Sequence, residues 1–369
     1  VIIPIRRVIN MCIGGSMIQN NKKGHILMLL RKLQTDRTLK KTEFVELLKN
    51  RELIEDELFQ VSKEIHVKNF HRKVYVRGLI EISSYCGNDC YYCGIRRSNL
   101  NAKRYRLSAD EIFEQVRFGT SLGFKSFVLQ GGEDPGFSDA TLIEIIKEIK
   151  KINPQTAITL SVGEKSFETL KAYKEAGADR FLLRHETRNK EHYYMLHPSD
   201  MDQDFRLHML EDLKKLGYQT GSGIMVGSPH QTEENIAEDL LFLRKLNPEM
   251  IGIGPFVPAT GTPFENETSG SAELTVFILA ILRIMFPHAN LPATTPLATL
   301  SKTARDRAIK IAANVYMPNL TPTYRRREYN LYNDKACFEV EAAENLKQLS
   351  KIFESIGSEL VMDRGDYSE

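Results

Sequence analysis

Long apolar runs are missing from this chain. Its 369 residues are 42% hydrophobic, yet no run approaches the roughly 18 apolar residues of a membrane-spanning helix. An excess of one charge is missing too, because 50 basic residues stand against 48 acidic ones. Proteins that bind nucleic acid or an acidic membrane surface typically carry a basic excess. The composition therefore predicts neither a membrane protein nor a nucleic-acid partner.

Cysteine is scarce and unevenly placed. The five cysteines are an odd number, and Cys86, Cys90 and Cys93 fall within eight positions. A disulfide framework would be spread more evenly and would suit a smaller secreted domain. The clustering instead favours a metal or cluster site in a reducing cytoplasm.

A signal peptide is also not apparent. Residues 1–16 are apolar but contain Pro4 and two arginines, whereas a signal peptide has its charge first and its apolar core second. Met11 and Met17 follow closely as alternative starts. We treat residues 1–22 as an uncertain N-terminal leader on which no function is based.

The sequence does contain a helical start followed by an alternation of strands and helices. Residues 23–72 carry apolar positions at spacings of three and four, which predicts a helical extension. From residue 73 short β-rich runs alternate with amphipathic helices, which indicates parallel βαβ units. The runs are 75–84, 126–130, 156–161, 180–185, 221–227, 250–256, 290–295 and 314–318.

Eight such runs predict an α/β fold closed into a TIM-type (β/α)8 barrel, whose typical length of about 250 residues matches this span. A doubly wound open sheet is the competing fold, but no glycine-rich nucleotide turn follows the first strand. We expect the barrel over residues 73–356, including a C-terminal helix over 340–356, and a tail over 357–369.

The clustered cysteines follow the first strand directly. Their spacing is C-x3-C-x2-C, and three thiolates on one loop can bind three irons of a cubane 4Fe–4S cluster. The fourth iron then has no protein ligand and is open to a small molecule, as the open position of a catalytic zinc is. The loop would lie at the C-terminal end of a barrel strand, where TIM-barrel active sites are built.

Three other interpretations of the cysteines compete. A structural zinc site normally has four ligands, and no fourth Cys or His is near in the sequence. An electron-transfer cluster normally has four cysteines. Chance cysteines would be inert core residues, yet Gly87, Asn88 and Asp89 between them are loop formers. The pattern favours the cluster with an open iron.

The motif resembles that of the radical S-adenosylmethionine (SAM) superfamily, and Tyr92 supplies the aromatic residue before the last cysteine. The resemblance implies that the open iron binds the amino and carboxylate groups of SAM. One electron then splits the sulfonium bond and leaves a 5′-deoxyadenosyl radical.

Later strand ends carry further matching segments. Residues 130–135 look like the GGE segment whose backbone meets the SAM amino group, and residues 223–227 resemble the glycine-rich motif near the adenine. A simple glycine turn and close strand packing are the ordinary alternatives. Residues 184–186 combine Arg, His and Glu, which are poor core material, so we expect some of them to face polar partners at the barrel mouth.

The resemblance is dense for one family. Residues 93–97, 104–106, 183–187, 252–256 and 292–295, among other segments, are similar to the HydE family of FeFe-hydrogenase maturases. The match runs from about residue 45 to residue 356. It implies a cytoplasmic SAM-dependent enzyme that acts on a cysteine or iron-thiolate-type small substrate in assembly of the diiron centre. Its partners would be other hydrogenase maturases and an electron donor, in transient contact.

The resemblance also implies residue roles, with Arg206 pairing the SAM carboxylate. The SAM-binding candidates are Tyr92, Gln130, Gly132, Glu133, Ser161, Glu186, Arg206, Met225 and Tyr329. The substrate-cavity candidates are Thr159, Arg184, Thr294, Thr295 and Tyr332. A planar guanidinium suits a carboxylate or a cyanide-bearing ligand. Without the family match, Arg206 would pass as a surface residue and the two tyrosines as aromatic packing.

One departure concerns a second cluster that many HydE proteins hold with three more cysteines. Only Cys337 matches here, and Asn345 and Gln348 stand at the other two positions. We therefore expect one 4Fe–4S cluster and no second one. Two alternatives stay open: a HydE-like or methylornithine-synthase-like enzyme with another small substrate, and a non-enzymatic iron–sulfur scaffold. Biotin synthase fits less well, because strands four to six lack the cysteines of its auxiliary cluster.

Overall fold

The structure, a computed structural model, describes residues 5–335 and 345–368. Three helices precede the first strand: α1 (Ile5–Asp36), α2 (Lys41–Lys49) and α3 (Glu55–Phe70). Their apolar faces pack on the outside of the later helices, with Leu33, Phe44 and Leu47 fully buried in the same core as Phe277. The helical extension is therefore fixed to the rest of the chain by hydrophobic burial.

The remainder of the described chain alternates strands and helices. The strands are β1 (Lys73–Val76), β2 (Gly78–Ser83), β3 (Ser126–Gly131), β4 (Ala157–Ser161), β5 (Arg180–Leu182), β6 (Gln219–Ser222), β7 (Met225–Val226), β8 (Met250–Ile251), β9 (Gly254–Pro255), β10 (Val315–Tyr316) and β11 (Glu359–Val361). The helices are α4 (Ala109–Ser121), α5 (Asp139–Ile152), α6 (Phe167–Ala176), α7 (Lys190–Leu196), α8 (Gln203–Lys215), α9 (Glu233–Leu246), α10 (Ala272–Met285), α11 (Thr295–Leu300), α12 (Lys302–Ile311) and α13 (Leu346–Ser355). Within this part of the chain, no helix is long and apolar enough to cross a membrane.

The parallel strands close into a barrel. Six of them form a continuous parallel sheet in the order β2-β3-β4-β5-β6-β8. The ring continues where the Ile251 amide donates to the Asn290 carbonyl at 3.0 Å and the Val315 amide donates to the Leu291 carbonyl at 3.2 Å. It closes where the Leu320 amide donates to the Leu79 carbonyl on β2 at 2.7 Å. Eight parallel segments thus surround one interior, which confirms the predicted (β/α)8 barrel.

Some strands are shorter than the predicted runs. The run 250–256 is split into β8 and β9, and a Cβ on Gly223 would lie 1.9 Å from the Gly252 carbonyl oxygen between them. The run 290–295 makes only isolated bridges at Asn290 and Pro292, because α11 begins at Thr295. The short helices α7 and α11 were not predicted, since neither is long enough to show a helical period.

The base of the barrel is closed by residues 362–367, which we call the base plug. The fully buried Arg180 donates through Nη2 to the Arg364 carbonyl and to the Asp366 carboxylate, both at 2.7 Å. Arg77 donates to the Gly365 carbonyl at 3.2 Å. Just before the plug, β11 pairs with β1. The predicted tail therefore includes a strand and a seal under the barrel.

The predicted C-terminal helix is present as α13 over the part that the structure describes. Residues 336–344, with Cys337, lie outside the described residues.

Candidate active site

The cysteine loop leaves β2 at the C-terminal end of the barrel. Cys86, Cys90 and Cys93 are free and partly buried. Backbone hydrogen bonds anchor the loop to three other segments: Gly87 N to Glu133 O at 2.8 Å, Tyr91 N to Leu196 O at 2.9 Å and Gly94 N to Leu331 O at 2.8 Å. The three thiols are therefore held at the barrel mouth by several strand-end loops, as predicted for a TIM-barrel site.

Asp89 organises the loop from within. Its carboxylate accepts from Arg96 Nε at 2.8 Å, from the Ser98 amide at 3.0 Å and from the Ser98 hydroxyl at 2.7 Å. Burial raises the pKa of Asp89, but the bonds from Ser98 and Arg96 outweigh it and the net pKa is lowered. A charged Asp89 thus fixes the loop while the cysteines stay free for other ligands.

The thiols themselves are poor acids in this setting. Burial raises the pKa of Cys86 and Cys90, and it raises that of Cys93 to about 12. A bound metal replaces the thiol proton and stabilises the thiolate, so buried thiols on one loop fit metal ligation. Among the described residues, no three His, Cys, Asp or Glu side chains converge as ligands of one metal ion. A cubane cluster bonds each thiolate to a different iron, so its three cysteines need not converge on one point.

The segment after β3 passes very close to this loop. A Cβ on Gly132 would lie 2.2 Å from the Tyr85 carbonyl oxygen and 2.7 Å from Cys86 Cβ, so only glycine fits there. The next side chain, Glu133, accepts from the Glu164 amide at 2.9 Å. Burial raises the pKa of Glu133. The predicted GGE segment is therefore in direct contact with the first cysteine.

Arg184, Glu186, Arg206 and Glu164 form a network of charged side chains near the end of β5, which we call the arginine–glutamate frame. Arg184 Nε donates to Glu186 Oε1 at 3.0 Å, while the other carboxylate oxygen of Glu186 is buried without a hydrogen-bond partner. The backbone of Glu186 has φ +62°, a strained region that is enriched at functional sites. Arg206 donates through Nε to Glu164 Oε1 at 2.7 Å and through Nη1 to the Arg184 carbonyl at 3.1 Å. Burial lowers the pKa of Arg206, but Glu164 reverses this and the net pKa is raised.

Strand β4 also contributes polar side chains to the barrel interior. On β4, Ile158 and Leu160 pack in the core between strands and helices, so Thr159 and Ser161 point to the barrel interior. Ser161 pairs in register with Gln130 on β3. The Thr159 hydroxyl is buried without a hydrogen-bond partner.

Tyr329 lies against the β3 side of the ring, and Thr294 lies on the side opposite Thr159. Gln130 Nε2 donates to the Tyr329 hydroxyl at 3.4 Å, and Tyr329 is buried. The Thr294 hydroxyl donates to the Ile253 carbonyl at 3.0 Å, and Thr295 begins α11. Thr159 belongs to the third parallel segment of the ring and Thr294 follows the seventh, so the two lie on opposite walls.

Two predicted residues lie in an aromatic corner beside Cys90. Tyr92 and Met225 share a small apolar cluster. The Tyr92 hydroxyl lies 3.1 Å from His197 Nε2, and burial raises the pKa of Tyr92 well above its usual value. Tyr332, on the segment that follows Tyr329, also has an interaction partner within the chain.

Sequence reasoning missed several residues of this site. Glu164 bonds both Glu133 and Arg206, and Met201 Sδ lies 3.8 Å from Cys90 Sγ. His197 lies within hydrogen-bond distance of the Tyr92 hydroxyl in the aromatic corner. Glu164 follows a predicted strand end in the sequence, so its position was a usable signal. Nothing in the sequence around Met201 or His197 distinguishes either residue.

His185 belongs to the set 184–186, of which some members were expected to face polar partners at the mouth. It instead lies in the barrel wall, with Nδ1 2.9 Å from the Ser222 hydroxyl and Nε2 3.3 Å from Asp239 Oδ1. Because successive side chains of a strand alternate, His185 points outward where Arg184 and Glu186 point to the mouth.

Comparison with known proteins identifies the family of this chain. Residues 80–243 match the family model described as the radical SAM superfamily. The chain is 45% identical over 287 residues to the [FeFe] hydrogenase maturase subunit HydE of Thermotoga maritima, which covers 78% of this chain and 82% of that protein. The chain belongs to the HydE family of radical SAM enzymes. This family uses a 4Fe–4S cluster and SAM.

More distant relatives of this HydE-family chain share the fold. It is 32% identical to a 3-methylornithine synthase of Methanosarcina acetivorans over 66% of this chain and 69% of that protein. A crystal structure of methylornithine synthase superposes with a TM-score of 0.78 at 25% identity, covering 90% of this chain and 97% of that one. A crystal structure of HydG, a maturase of the [FeFe]-hydrogenase, superposes with a TM-score of 0.77 at 20% identity over 92% of this chain and 77% of that one.

Proposed function

We propose that this chain is a HydE-type maturase. It reductively cleaves SAM and acts on a cysteine or iron-thiolate-type small substrate in assembly of the FeFe-hydrogenase diiron centre. The observation that carries the proposal is the juxtaposition of three buried thiols on one loop with the arginine–glutamate frame at the barrel mouth. The 45% identity to HydE of Thermotoga maritima supports the maturase role.

Cys86, Cys90 and Cys93 would hold three irons of one 4Fe–4S cluster and leave the fourth open to SAM. The residues present fit this group, because the thiols share one loop and Gly132 leaves room beside Cys86. When bound, the cluster supplies the single electron that splits the sulfonium bond of SAM and yields the 5′-deoxyadenosyl radical. Neither Asn345 nor Gln348 is a usual ligand of an iron–sulfur cluster, so we propose no second cluster.

The protein's part is to hold SAM in one orientation. Arg206 pairs the SAM carboxylate, because its guanidinium is kept charged by Glu164 and aimed by the Arg184 carbonyl. The free oxygen of Glu186 accepts a hydrogen bond from SAM, since a buried carboxylate oxygen without a partner is costly. Gln130, Gly132, Glu133 and Ser161 line the approach from β3 and β4. Tyr92, Met225 and Tyr329 supply apolar surface.

The substrate would lie deeper in the barrel. Arg184 offers donors beyond its bond to Glu186, because its side chain is 32% exposed. Thr159 adds an unpartnered hydroxyl, and Thr294 and Thr295 lie towards the opposite wall. Tyr332 is the remaining candidate for the substrate cavity. This set suits a small anion or a zwitterion such as an amino acid. The buried walls would keep water from a reactive carbon radical.

The chain is proposed to act in the cytoplasm, in transient contact with other maturases and with an electron donor. In this proposal residues 73–356 form the catalytic barrel and residues 23–72 a supporting extension.

The decisive experiment is anaerobic. The protein is reconstituted with iron and sulfide, reduced and mixed with SAM, and iron and 5′-deoxyadenosine are measured together. About four irons per chain with 5′-deoxyadenosine formed is the expected result. A cluster whose electron paramagnetic resonance spectrum ignores SAM, and that never cleaves it, would return the chain to the scaffold alternative.

A second candidate function is a methylornithine-synthase-like reaction on another small substrate, favoured by the superposition over 90% of the chain. In vitro maturation separates the two. The reconstituted protein is added to apo-hydrogenase with the other maturases. Restored hydrogenase activity supports the maturase role, and SAM cleavage without maturation supports the alternative.

A further inference from the structure

A pocket of about 260 Å³ opens on the outside of the barrel, near the end opposite the cysteine loop. It lies between α3, α12 and the turn that joins α13 to β11. Its polar lining consists of Lys63, His66, Arg72, Lys310 and Ser358. The volume is slightly below the usual range for small-molecule sites, about 300–1,000 Å³, so it suits a small ligand.

The lining offers hydrogen-bond donors and no carboxylate. Lys63, Arg72 and Lys310 are exposed, and within the described chain none of the three is paired with a carboxylate in an ion pair. Glu359 follows Ser358 in the sequence but does not line the pocket. Three cations around one concavity in an otherwise nearly neutral chain make a local positive field.

His66 forms the floor of the pocket. Its side chain is only 1% exposed, and both ring nitrogens lack a hydrogen-bond partner. One of the two nitrogens carries a proton in the neutral ring, so a donor is available at the floor. A buried polar group without a partner is costly, which makes His66 the side chain that most needs a ligand here.

A buried cation, Arg283, lies behind the floor. Arg283 is fully buried and stacks on Phe70 at 4.5 Å, and Phe70 also packs against His66 at 5.6 Å between ring centroids. Arg283 donates all of its hydrogen bonds to neutral oxygens: five to backbone carbonyls of four residues and one to the side-chain oxygen of Asn314. Burial, with no carboxylate beside it, lowers the pKa of Arg283 to about 9.

The nearby helix ends do not account for these cations. Helices α3 and α12 both end beside the pocket, and helix C-termini attract positive charge. However, the Ile311 carbonyl at the end of α12 already accepts from the Ser62 hydroxyl at 2.7 Å. The Ala312 carbonyl accepts from Arg283 at 2.7 Å. These two acceptors at the end of α12 are thus satisfied from inside, and the exposed side chains of Lys63, Arg72 and Lys310 remain available to the pocket.

The backbone that presents Arg72 is strained. His71 and Arg72 have φ of +50° and +65°, and two consecutive non-glycine residues in the left-handed region are unusual. The strain turns the chain sharply between α3 and β1 and places Arg72 at the rim. Such conformations persist where the surrounding structure or a ligand requires them.

We propose that this pocket is a binding site for a small oxyanion of the phosphate class, with Lys63, Arg72 and Lys310 around the anion and His66 donating from the floor. The site is separate from the barrel mouth and does not depend on the proposed function. Phosphate could arrive free or as the monoester of a nucleotide, and both forms present the same tetrahedral dianion to the pocket.

The test uses the reconstituted protein saturated with SAM. Calorimetric titration with potassium phosphate is compared with potassium chloride at equal ionic strength. We expect one saturable phosphate per chain. In the double variant Lys63→Gln, Lys310→Gln the affinity should fall at least tenfold, since each charge-assisted contact contributes roughly a factor of ten. The matched control Lys171→Gln, Lys245→Gln also removes two exposed lysines, each in a loose 4.0 Å ion pair, and should bind phosphate as the unmodified chain does.

A second measurement follows the NMR signals of His66 at the floor of the pocket. With histidines labelled by ¹⁵N, the ring signals of His66, assigned by their loss in His66→Gln, should shift as phosphate binds. AMP in place of phosphate distinguishes the sources, because tighter binding of AMP indicates a nucleotide. The proposal is overturned if phosphate does not saturate, if chloride gives the same response, if both double variants lose affinity equally, or if the His66 signals stay in place.

Discussion

At both ends of the barrel an arginine pairs with a carboxylate, and the two pairs differ in what else their atoms contact. At the base, Arg180 is fully buried and donates to Ser126, to Gln219 and to the base plug, with Asp366 as its counter-ion. At the mouth, Arg184 shares one oxygen of Glu186 while the other oxygen of that carboxylate has no partner. A buried charge whose donors are all satisfied by the chain is structural, whereas one beside unpartnered polar atoms is suited to a ligand.

The largest effect that we expect at the barrel mouth is that of replacing a cysteine of the loop. Cys90→Ala should abolish both iron incorporation and 5′-deoxyadenosine formation, because one iron loses its only protein ligand. The far-ultraviolet circular dichroism should be unchanged, since the loop lies at the mouth. Cys337→Ala is the matched control and should retain about four irons per chain. Full SAM cleavage by Cys90→Ala would contradict the cluster assignment, and a loss of iron in Cys337→Ala would contradict the expectation of a single cluster.

At the mouth, Arg206→Ala should weaken SAM binding. Loss of one charge-assisted hydrogen bond is worth about 1.5–3 kcal/mol, a tenfold loss of affinity or more. Equilibrium binding of SAM to the reconstituted protein measures it. Arg244→Ala, an exposed arginine on α9, serves as control. Equal SAM affinity in the two variants would remove Arg206 from the SAM site.

At the base, Asp366→Asn should lower stability and leave SAM affinity alone. Arg180 would lose its counter-ion, and the cost is about 1–2 kcal/mol because the Asp366 side chain is 37% exposed. Chemical denaturation of this variant and of Asp363→Asn, an exposed neighbour, measures the difference. A change in SAM affinity with unchanged stability would mean that the base is not purely structural.

The same pair should respond to pH. Burial raises the pKa of Asp366, but Arg364 and Arg180 outweigh it and the net pKa lies far below the usual value. The stabilisation is therefore complete above the unfolded pKa of about 4 and is lost as the pH falls towards the folded value. The difference in the free energy of unfolding between the chain and Asp366→Asn should shrink below about pH 4. A difference that grows with acidification would contradict the ion pair.

The smallest expected effect compares two hydroxyls. Thr159→Val removes a buried hydroxyl without a partner, so stability should change by less than about 1 kcal/mol or rise. Ser126→Ala removes an acceptor of Arg180 and should cost about 1–2 kcal/mol. Melting temperatures measure both. If the substrate uses Thr159, the Val variant should also raise the substrate concentration needed for half-maximal turnover, and the Ala variant should not.

The fold was accessible from the sequence because strands and helices differ in period. All eight runs became ring segments, since each is a short run of apolar or β-branched residues flanked by turn residues. The base plug was not accessible, because residues 362–367 have no periodic pattern and their role depends on meeting Arg77 and Arg180 in space.

Only part of the candidate site could be predicted from the sequence, because some of its residues, like the base plug, have no local sequence pattern. The cysteine spacing is local, so the loop could be read directly. Glu164, Met201 and His197 reach the site through contacts with residues 42, 111 and 105 positions away, and no local pattern reports such pairs. The outward direction of the His185 side chain could have been predicted, because the run 180–185 was predicted as a strand and the side chains of a strand alternate.

The base plug also imposes an order on biosynthesis. The bond between Arg77 and Gly365 joins residues 288 positions apart, so at ribosomal speeds of about 5–20 residues per second Arg77 waits roughly 15–60 s for its partner. During that interval the base of the nascent barrel is open. Arg77 and Arg180, which are buried in the folded protein, are then still in contact with water. A fusion partner attached just after the base plug would crowd this docking step, and a spacer there should improve the yield of folded protein.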